Sequence, residues 1–471
     1  MRIEDTDTGR FVEGAEKDFM DSLKWVGIEP DESPEKPGAF GPYRQSERED
    51  LYRVQVNKLI EKGMAYYAFD TPEEIAEMKI KVGETWNYGM KTRHLMKNSF
   101  TLPKEEVEKL LADPTVHRVI RFKVPENVNV VVEDLIHGQI HVDSNTIDDK
   151  VLVKSDGGAT FSLASICDDG PEGQNTSIVL RGNEWLPSSP GHVLLYHAFG
   201  WAPPKFAHLP LILAPNSNKK LSKRDGAKYG FPVMVIGNEE FPGFKLAGYE
   251  PEAVFNYFAL LGFNPGTDRE IYSKEELIEV FDISKVSKSS AKFDIKKALW
   301  FNSHYLRMKS DDELTQILID SAKEKGIQNI HEINPNDLKE IARLSVERAE
   351  LRSQMLSTVN YFFEEPVVFE EKALKKYDKC AAQVIHNWCT SPEYHDFEWD
   401  NDNIHAQIEK MVTAELPIGK IAGTLRVITT GGQPGPDLPT IMRLLGRLET
   451  YHRIRTVTEK FGKEELEAIA N

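Results

Sequence analysis

The chain has 471 residues, 40% of them hydrophobic, which suffices for about three domains with well-buried cores. Its formal net charge of −17 argues against a protein that coats nucleic acid nonspecifically, because such binding needs many lysine and arginine contacts to phosphate; local basic clusters can still steer an RNA. No run approaches the ~20 apolar residues of a membrane span, and the N-terminus has no secretory apolar segment. Cys167, Cys380 and Cys389 form neither a disulfide framework nor a zinc pattern, so a cytoplasmic protein without structural zinc or membrane contact is expected.

Over residues 14–27, Phe19, Leu23 and Val26 recur at helical spacing. Ser46-Glu47-Arg48-Glu49 reads as a capping box opening a helix through Tyr52, Val56, Leu59 and Ile60, and Thr71-Pro72-Glu73-Glu74 reads as a second one. Val116, Ile120, Phe122 and Val124 then alternate with polar residues, and residues 128–132 and 136–142 follow as strands, which predicts a β-containing insertion. Beyond it, Ile178-Val179-Leu180 predicts a buried strand, residues 190–201 a helix carrying Val193, Leu194 and Tyr196, and residues 209–213 a short buried strand. After a turn over residues 215–218, residues 219–226 read as a mobile polar loop with several ammonium groups and a hydroxyl. Such a loop suits a polyphosphate, because a positioned cation stabilises charge growing on phosphate oxygens by about 3 kcal/mol. A solvated lysine-rich loop is the plain alternative. Residues 275–281 predict an amphipathic helix, and Lys285-Val286-Ser287-Lys288-Ser289 after it reads as an interhelical connection. From the capping box Ser310-Asp311-Asp312-Glu313 onward the pattern is nearly all helical, with its clearest loop at residues 431–436.

Lys220-Leu221-Ser222-Lys223-Arg224 resembles the Lys-Met-Ser-Lys-Ser signature of class I aminoacyl-tRNA synthetases. Lys285 to Ser289 matches the same pattern, and its position between helices marks it as a decoy or an RNA-contact loop. Arg2-Ile3-Glu4-Asp5-Thr6-Asp7, Gly41-Pro42-Tyr43-Arg44-Gln45-Ser46-Glu47-Arg48, Arg181-Gly182-Asn183-Glu184-Trp185-Leu186, Leu425 to Gly431 and Leu444-Leu445-Gly446 extend the likeness over nearly the whole chain. Together these segments resemble the bacterial-type glutamyl-tRNA synthetases. The resemblance implies an α/β, Rossmann-like class I catalytic domain over residues 1–70 and 156–218, split by an acceptor-binding α+β insertion over 71–155. A lysine-signature and stem-contact region over 219–305 and an all-α anticodon-binding region over 306–471 would follow.

It also implies ATP-dependent activation of glutamate and transfer to the 3' end of tRNA(Glu) by a monomer using ATP with Mg2+. The alternative is a catalytically inactive paralogue that binds tRNA without charging it. Carried over by position, Lys223 is the main ATP-phosphate lysine, Lys220 its partner, and Ser222 and Arg224 complete the catalytic loop. Glu4 would hold the substrate ammonium and Arg181 would bring positive charge to the amino-acid pocket. Tyr43, Arg44 and Ser46 would line the cleft, and Arg348 would read the anticodon. Read without the family, Glu4 is a strand-end carboxylate pairing with Arg2, Arg181 a buried ion-pair partner, Ser46 a helix cap and Arg348 a solvated arginine.

Two departures stand out. The family's His-Ile-Gly-His signature, upstream of the Arg2 to Asp7 segment, is not found in this chain, which leads us to expect a longer natural protein; His137-Gly138-Gln139-Ile140-His141 is a superficial echo in a β-rich region. Phe161 and Ser165 stand where the family usually has tyrosine and asparagine, so the glutamate pocket loses a hydroxyl and an amide. A buried polar group left unpaired costs about 1–3 kcal/mol, enough to weaken glutamate binding unless Ser165 or water substitutes.

Overall fold

A computed structural model of the chain describes residues 1–7, 9, 12–83, 86–367, 369 and 371–460. It divides into two units, one of Met1–Phe241 with Phe255–Asp294, the other of Pro242–Val254 with the chain from Ile295 onward.

Among the described residues the strands all lie in the first unit: β1 (Ala65–Ala68), β2 (Val119–Phe122), β3 (Asn129–Asp134), β4 (Gly138–Asp143), β5 (Val151–Val153), β6 (Ile178–Gly182), β7 (Lys205–Leu209), β8 (Ile212–Leu213) and β9 (Ala291–Lys292). They form a three-stranded sheet β1-β2-β5, a four-stranded sheet β4-β3-β7-β6 and the pair β8-β9. In the larger sheet β6, β7 and β3 run parallel, and β4 closes a hairpin onto β3. The hairpin that the sequence assigns to the insertion therefore hydrogen-bonds into the strands that follow it. Alternation along β3 sends Val130 and Val132 into a core shared with Val56 and Leu59 of helix Glu49–Glu61, Leu163 and Ile166 of helix Phe161–Asp169, and Val193 and Tyr196 of helix Ser189–Phe199.

Helix Ala15–Trp25 forms as its spacing predicts, and Thr71 closes a capping box with Glu74 at the start of helix Pro72–Val82. Four expectations need correction. Ser46 caps no helix: residues Gln45–Glu47 make a 3-10 turn, and both the Ser46 backbone N–H (2.9 Å) and its hydroxyl (2.6 Å) bond the Asp5 carboxylate, a stronger acceptor partner than a helix amide would be a donor. The Ile178 to Leu180 strand is present but not buried. Among the described residues β6 pairs only with β7, so Ile178 and Leu180 are 46% and 59% exposed. Residues 209–213 are two strands rather than one, because Pro210 has no N–H to continue the ladder and β8 pairs with β9 in a different sheet. The lysine segment is only partly a loop: Ser222 and Asp225 form a reciprocal capping box that starts helix Lys223–Tyr229. The second signature starts on the last residue of a 3-10 turn, Ile283–Lys285, and lies before β9, with Val286 buried against Phe263.

The second unit is helical. Ser310 closes its predicted capping box with Glu313 and starts helix Asp311–Glu324, which packs Leu314 and Leu318 against Ile341 of helix Pro335–Val346. A further core joins Ile385, Ile404, Leu425 and Ile454 from helices Lys379–Cys389, Asn401–Lys410, Ile418–Thr430 and Arg447–Lys460. Residues 431–436 are the loop that the glycine-proline run predicts.

Candidate active site

Parallel register sets the centre of the site. Arg181 on β6 lies opposite His208 on β7, so both side chains point to the same face of the sheet. The chain then turns into helix Ser189–Phe199, where Ser189 and His192, three residues apart, share one face. Arg181 meets all three: its Nε donates to His208 Nε2 at 2.9 Å, its Nη2 to Ser189 Oγ at 2.8 Å, and its Nη1 lies 3.2 Å from His192 Nδ1. The guanidinium also sits over the Phe206 ring, 5.4 Å from its centroid. No carboxylate of the described residues lies within ion-pair distance of it, which corrects the reading of Arg181 as an ion-pair partner. Burial lowers its pKa, against the more distant charges of Asp169, Glu4 and Asp134. Burial pushes His192 down to about 3, so the ring is neutral and accepts at Nδ1.

Glu4 carries the second charge. Arg2 Nη2 donates to it at 3.0 Å, the pairing that the sequence allows, while Arg2 Nη1 donates to Asp169 at 2.7 Å and to Gln174 at 3.0 Å. Asp169 and its neighbour Asp168 end helix Phe161–Asp169. Asp168 is fully buried and accepts from Gln45 (2.9 Å), Arg48 (2.7 Å) and Tyr52 (3.0 Å); burial raises its pKa, and Arg2, Gln45 and Arg48 oppose that rise.

The start of the same helix presents Phe161, whose ring packs on Trp185 with centroids 4.4 Å apart and lies 6.2 Å from His192. Ser165, one turn on, is buried with its hydroxyl unpartnered. Lys220 pairs with Glu184 on the 3-10 segment Asn183–Ser188 that carries Trp185, and so ties the lysine signature to the segment that follows the strand bearing Arg181. Lys223 and Arg224 are exposed on the first turn of their helix.

Not every expected residue joins this group. Tyr43 is buried with its hydroxyl bonded to Glu32 and to the Gly38 N–H, and Arg44 pairs with Glu16 and Glu47. His137 Nε2 lies 3.2 Å from the His208 carbonyl and His141 faces Asn129, so the two histidines of the echo make separate contacts. In the helical unit, Arg348 donates to the Gly435 carbonyl at 2.7 Å. Sequence reasoning did not single out His192, Ser189, His208 or Asp134. The signal available for them was the register of two parallel strands, which no local pattern reveals.

Residues 1–300 match the family model described as tRNA synthetases class I (E and Q), catalytic domain, and residues 312–458 match that of an anticodon binding domain. The chain is 42% identical over 475 residues to a glutamate–tRNA ligase of Porphyromonas gingivalis, covering 98% of this chain and 92% of that protein. It is also 42% identical over 463 residues to one of Flavobacterium johnsoniae, covering 97% and 91%. The crystal structure of a glutamate tRNA ligase from Elizabethkingia meningosepticum in complex with its amino acid superposes with a TM-score of 0.88 at 39% identity, over 98% of this chain and 92% of that one. These matches span both the α/β unit that holds Arg181 and the helical unit that holds Arg348, and the chain belongs to the glutamate–tRNA ligase family of class I tRNA synthetases.

Proposed function

We propose that this chain joins glutamate to tRNA(Glu) with ATP, and that the group around Arg181, Glu4 and the lysine signature is where it does so. A glutamate carboxylate oxygen attacks the α-phosphorus of ATP, the bond to the bridging oxygen breaks, and pyrophosphate leaves. A ribose hydroxyl at the tRNA 3' end then attacks the acyl carbon of the adenylate and releases AMP. Neither step needs a covalent bond to the protein, so placement and charge are what the side chains supply.

Lys223 and Arg224, exposed on a capped helical turn, carry positive charge for the ATP phosphates, and Ser222 fixes the turn that presents them. Lys220 can exchange its Glu184 partner for phosphate. Mg2+ would enter with the nucleotide, because it keeps several waters and usually binds through substrate phosphates and one or two carboxylates. Glu4 faces the substrate ammonium, Arg181 a substrate carboxylate, and Phe161 with Trp185 forms an aromatic wall, while Ser165, one helical turn from Phe161, brings a buried hydroxyl without a partner among the described residues. Arg348 is the candidate anticodon contact. The observation that carries the reading is the Arg181 guanidinium, held without a carboxylate partner among the described residues on the strand next to the lysine signature's anchor.

Replacing Lys223 with alanine tests it. Adenylate formation, followed as pyrophosphate exchange into ATP with glutamate and tRNA present, is expected to fall about 100-fold, the equivalent of one lost phosphate-stabilising donor. An unchanged rate would overturn the proposal.

A further inference from the structure

Arg181 is a strong candidate for a substrate contact, but an arginine recognises a carboxylate only if its planar fork is aimed and its charge is left free. Its surroundings meet both conditions. A guanidinium has five N–H donors. His208, Ser189 and His192 take one each, from Nε, Nη2 and Nη1, and leave one N–H on either terminal nitrogen. All three acceptors are uncharged, so none neutralises the cation.

His208 can accept from Arg181 only if its own proton sits on the other nitrogen, and Asp134 enforces that. Asp134 Oδ2 lies 2.6 Å from His208 Nδ1 and also accepts the His208 backbone N–H at 3.1 Å. The Asp134 Oδ1 is held by the backbone N–H groups of Ile136 (2.9 Å) and His137 (2.8 Å) at the β3–β4 turn. Both side chains are wholly buried. Burial opposes ionisation of Asp134, but the His137 N–H, His208 and the Ile136 N–H outweigh it and hold the carboxyl below its ordinary range. Ser189 lies 3.0 Å from His208 Nε2, which gives the outline of a Ser-His-Asp triad. With the imidazole lone pair taken by Arg181 and the serine hydroxyl 3.3 Å from the Trp185 carbonyl, that outline has no free base and no accessible nucleophile.

We infer that Asp134 and His208 are positioning residues: the carboxylate fixes the imidazole tautomer, the imidazole seats the Arg181 guanidinium, and the guanidinium is thereby aimed, uncompensated, at a carboxylate of glutamate. This rests on the proposed role of Arg181. The site orients its specificity cation through an uncharged imidazole because a direct Arg181–carboxylate pair would occupy the fork that the substrate needs. Asp134 thus acts one residue removed, delivering orientation without occupying the guanidinium fork.

Steady-state charging kinetics of the full chain, with glutamate and ATP varied in turn, test this. In Asp134→Asn the amide sets an N–H against His208 Nδ1, favouring the tautomer that turns an N–H toward Arg181. In His208→Leu the acceptor is gone, whereas His208→Gln keeps a carbonyl that can accept from Arg181. Glutamate KM is expected to rise roughly 10- to 100-fold in Asp134→Asn and His208→Leu, the size of one lost hydrogen bond to a charged group, with ATP KM and kcat at saturating glutamate unchanged. His208→Gln should recover most of the loss. Thermal melts decide which variants are folded, and if His208→Leu is not, Asp134→Asn carries the decision. Equal damage to both KM values and kcat, or no rescue by His208→Gln, would mean a merely structural role and overturn the inference. Arg181→Ala separates the two levels: if it leaves glutamate KM unchanged, the role of Arg181 itself is wrong. If it raises glutamate KM while Asp134→Asn and His208→Leu do not, only the relay is wrong.

Discussion

Arg2 and Asp169, 167 residues apart in the chain, are joined by a 2.7 Å hydrogen-bonded ion pair whose other arm reaches Glu4 at 3.0 Å. The pair binds the N-terminal segment to the end of helix Phe161–Asp169, so the carboxylate assigned to the substrate ammonium is placed by a contact that only the fold can make. Among the described residues, Arg2→Met leaves the Asp169 carboxylate hydrogen-bonded only to neutral hydroxyl donors, Thr176 at 3.1 Å and Tyr196 at 3.3 Å. Removing one partner of a buried pair costs about 3–5 kcal/mol, and urea unfolding should register that loss. The double variant Arg2→Met/Asp169→Asn should recover part of it, because the buried Asp169 carboxylate is then no longer left charged without its partner.

Ser165 separates stability from binding. Its buried hydroxyl has no partner, so Ser165→Ala should leave the melting temperature unchanged or slightly higher, within about 1 kcal/mol. Glutamate KM should nevertheless rise if this position lines the pocket. A fall in stability without a change in KM would remove Ser165 from the site.

His192 gives the fold a defined response to acid. Its ordinary value is 6.5, and burial, first, then the charge of Arg181 push it to about 3, so below pH 6.5 the unfolded chain binds a proton that the folded one refuses. Its contribution is complete above pH 6.5 and is lost as pH falls toward 3, with a slope of up to about 1.4 kcal/mol per pH unit. His192→Gln, which keeps an acceptor for Arg181, should flatten the stability profile between pH 6.5 and 5 by one proton's slope; parallel profiles would contradict the assignment.

Thr71 and Ser46 present the same kind of sequence signal with different outcomes. Thr71 accepts from the Glu74 N–H at 3.3 Å while Glu74 answers at 2.9 Å, so Thr71→Ala should cost about 1 kcal/mol by chemical denaturation. For Ser46, a substitution to alanine should instead loosen the Asp5 contact, and Ser46→Ala combined with Asp5→Ala should cost less than the two singly summed, because they share one interaction.

Local physics made much of this molecule legible in the sequence. Helix periodicity, the Thr71 and Ser310 capping boxes and the glycine-proline loop at residues 431–436 each depend on neighbours a few residues away, and each formed where its pattern lies. Resemblance carried Glu4, Arg181 and the lysine signature, because ordered motifs survive as text. Where the reading failed, a distant group intervened: Asp5 drew Ser46 away from its cap, Pro210 broke a ladder, and the one-sided pairing of β6 left Ile178 and Leu180 exposed.

Several helices, the places where positive charge collects and the family that the motifs resemble were legible in the linear chain, whereas helices Phe161–Asp169 and Lys223–Tyr229 were not. Only the tertiary structure decided that Arg181 rests on His208, Ser189 and His192 and that Asp134 stands behind them, because strand register and helix packing bring together groups up to 74 residues apart. A hydrogen bond depends on position to within a few tenths of an ångström, and the linear order of residues fixes such positions only after every intervening element has packed.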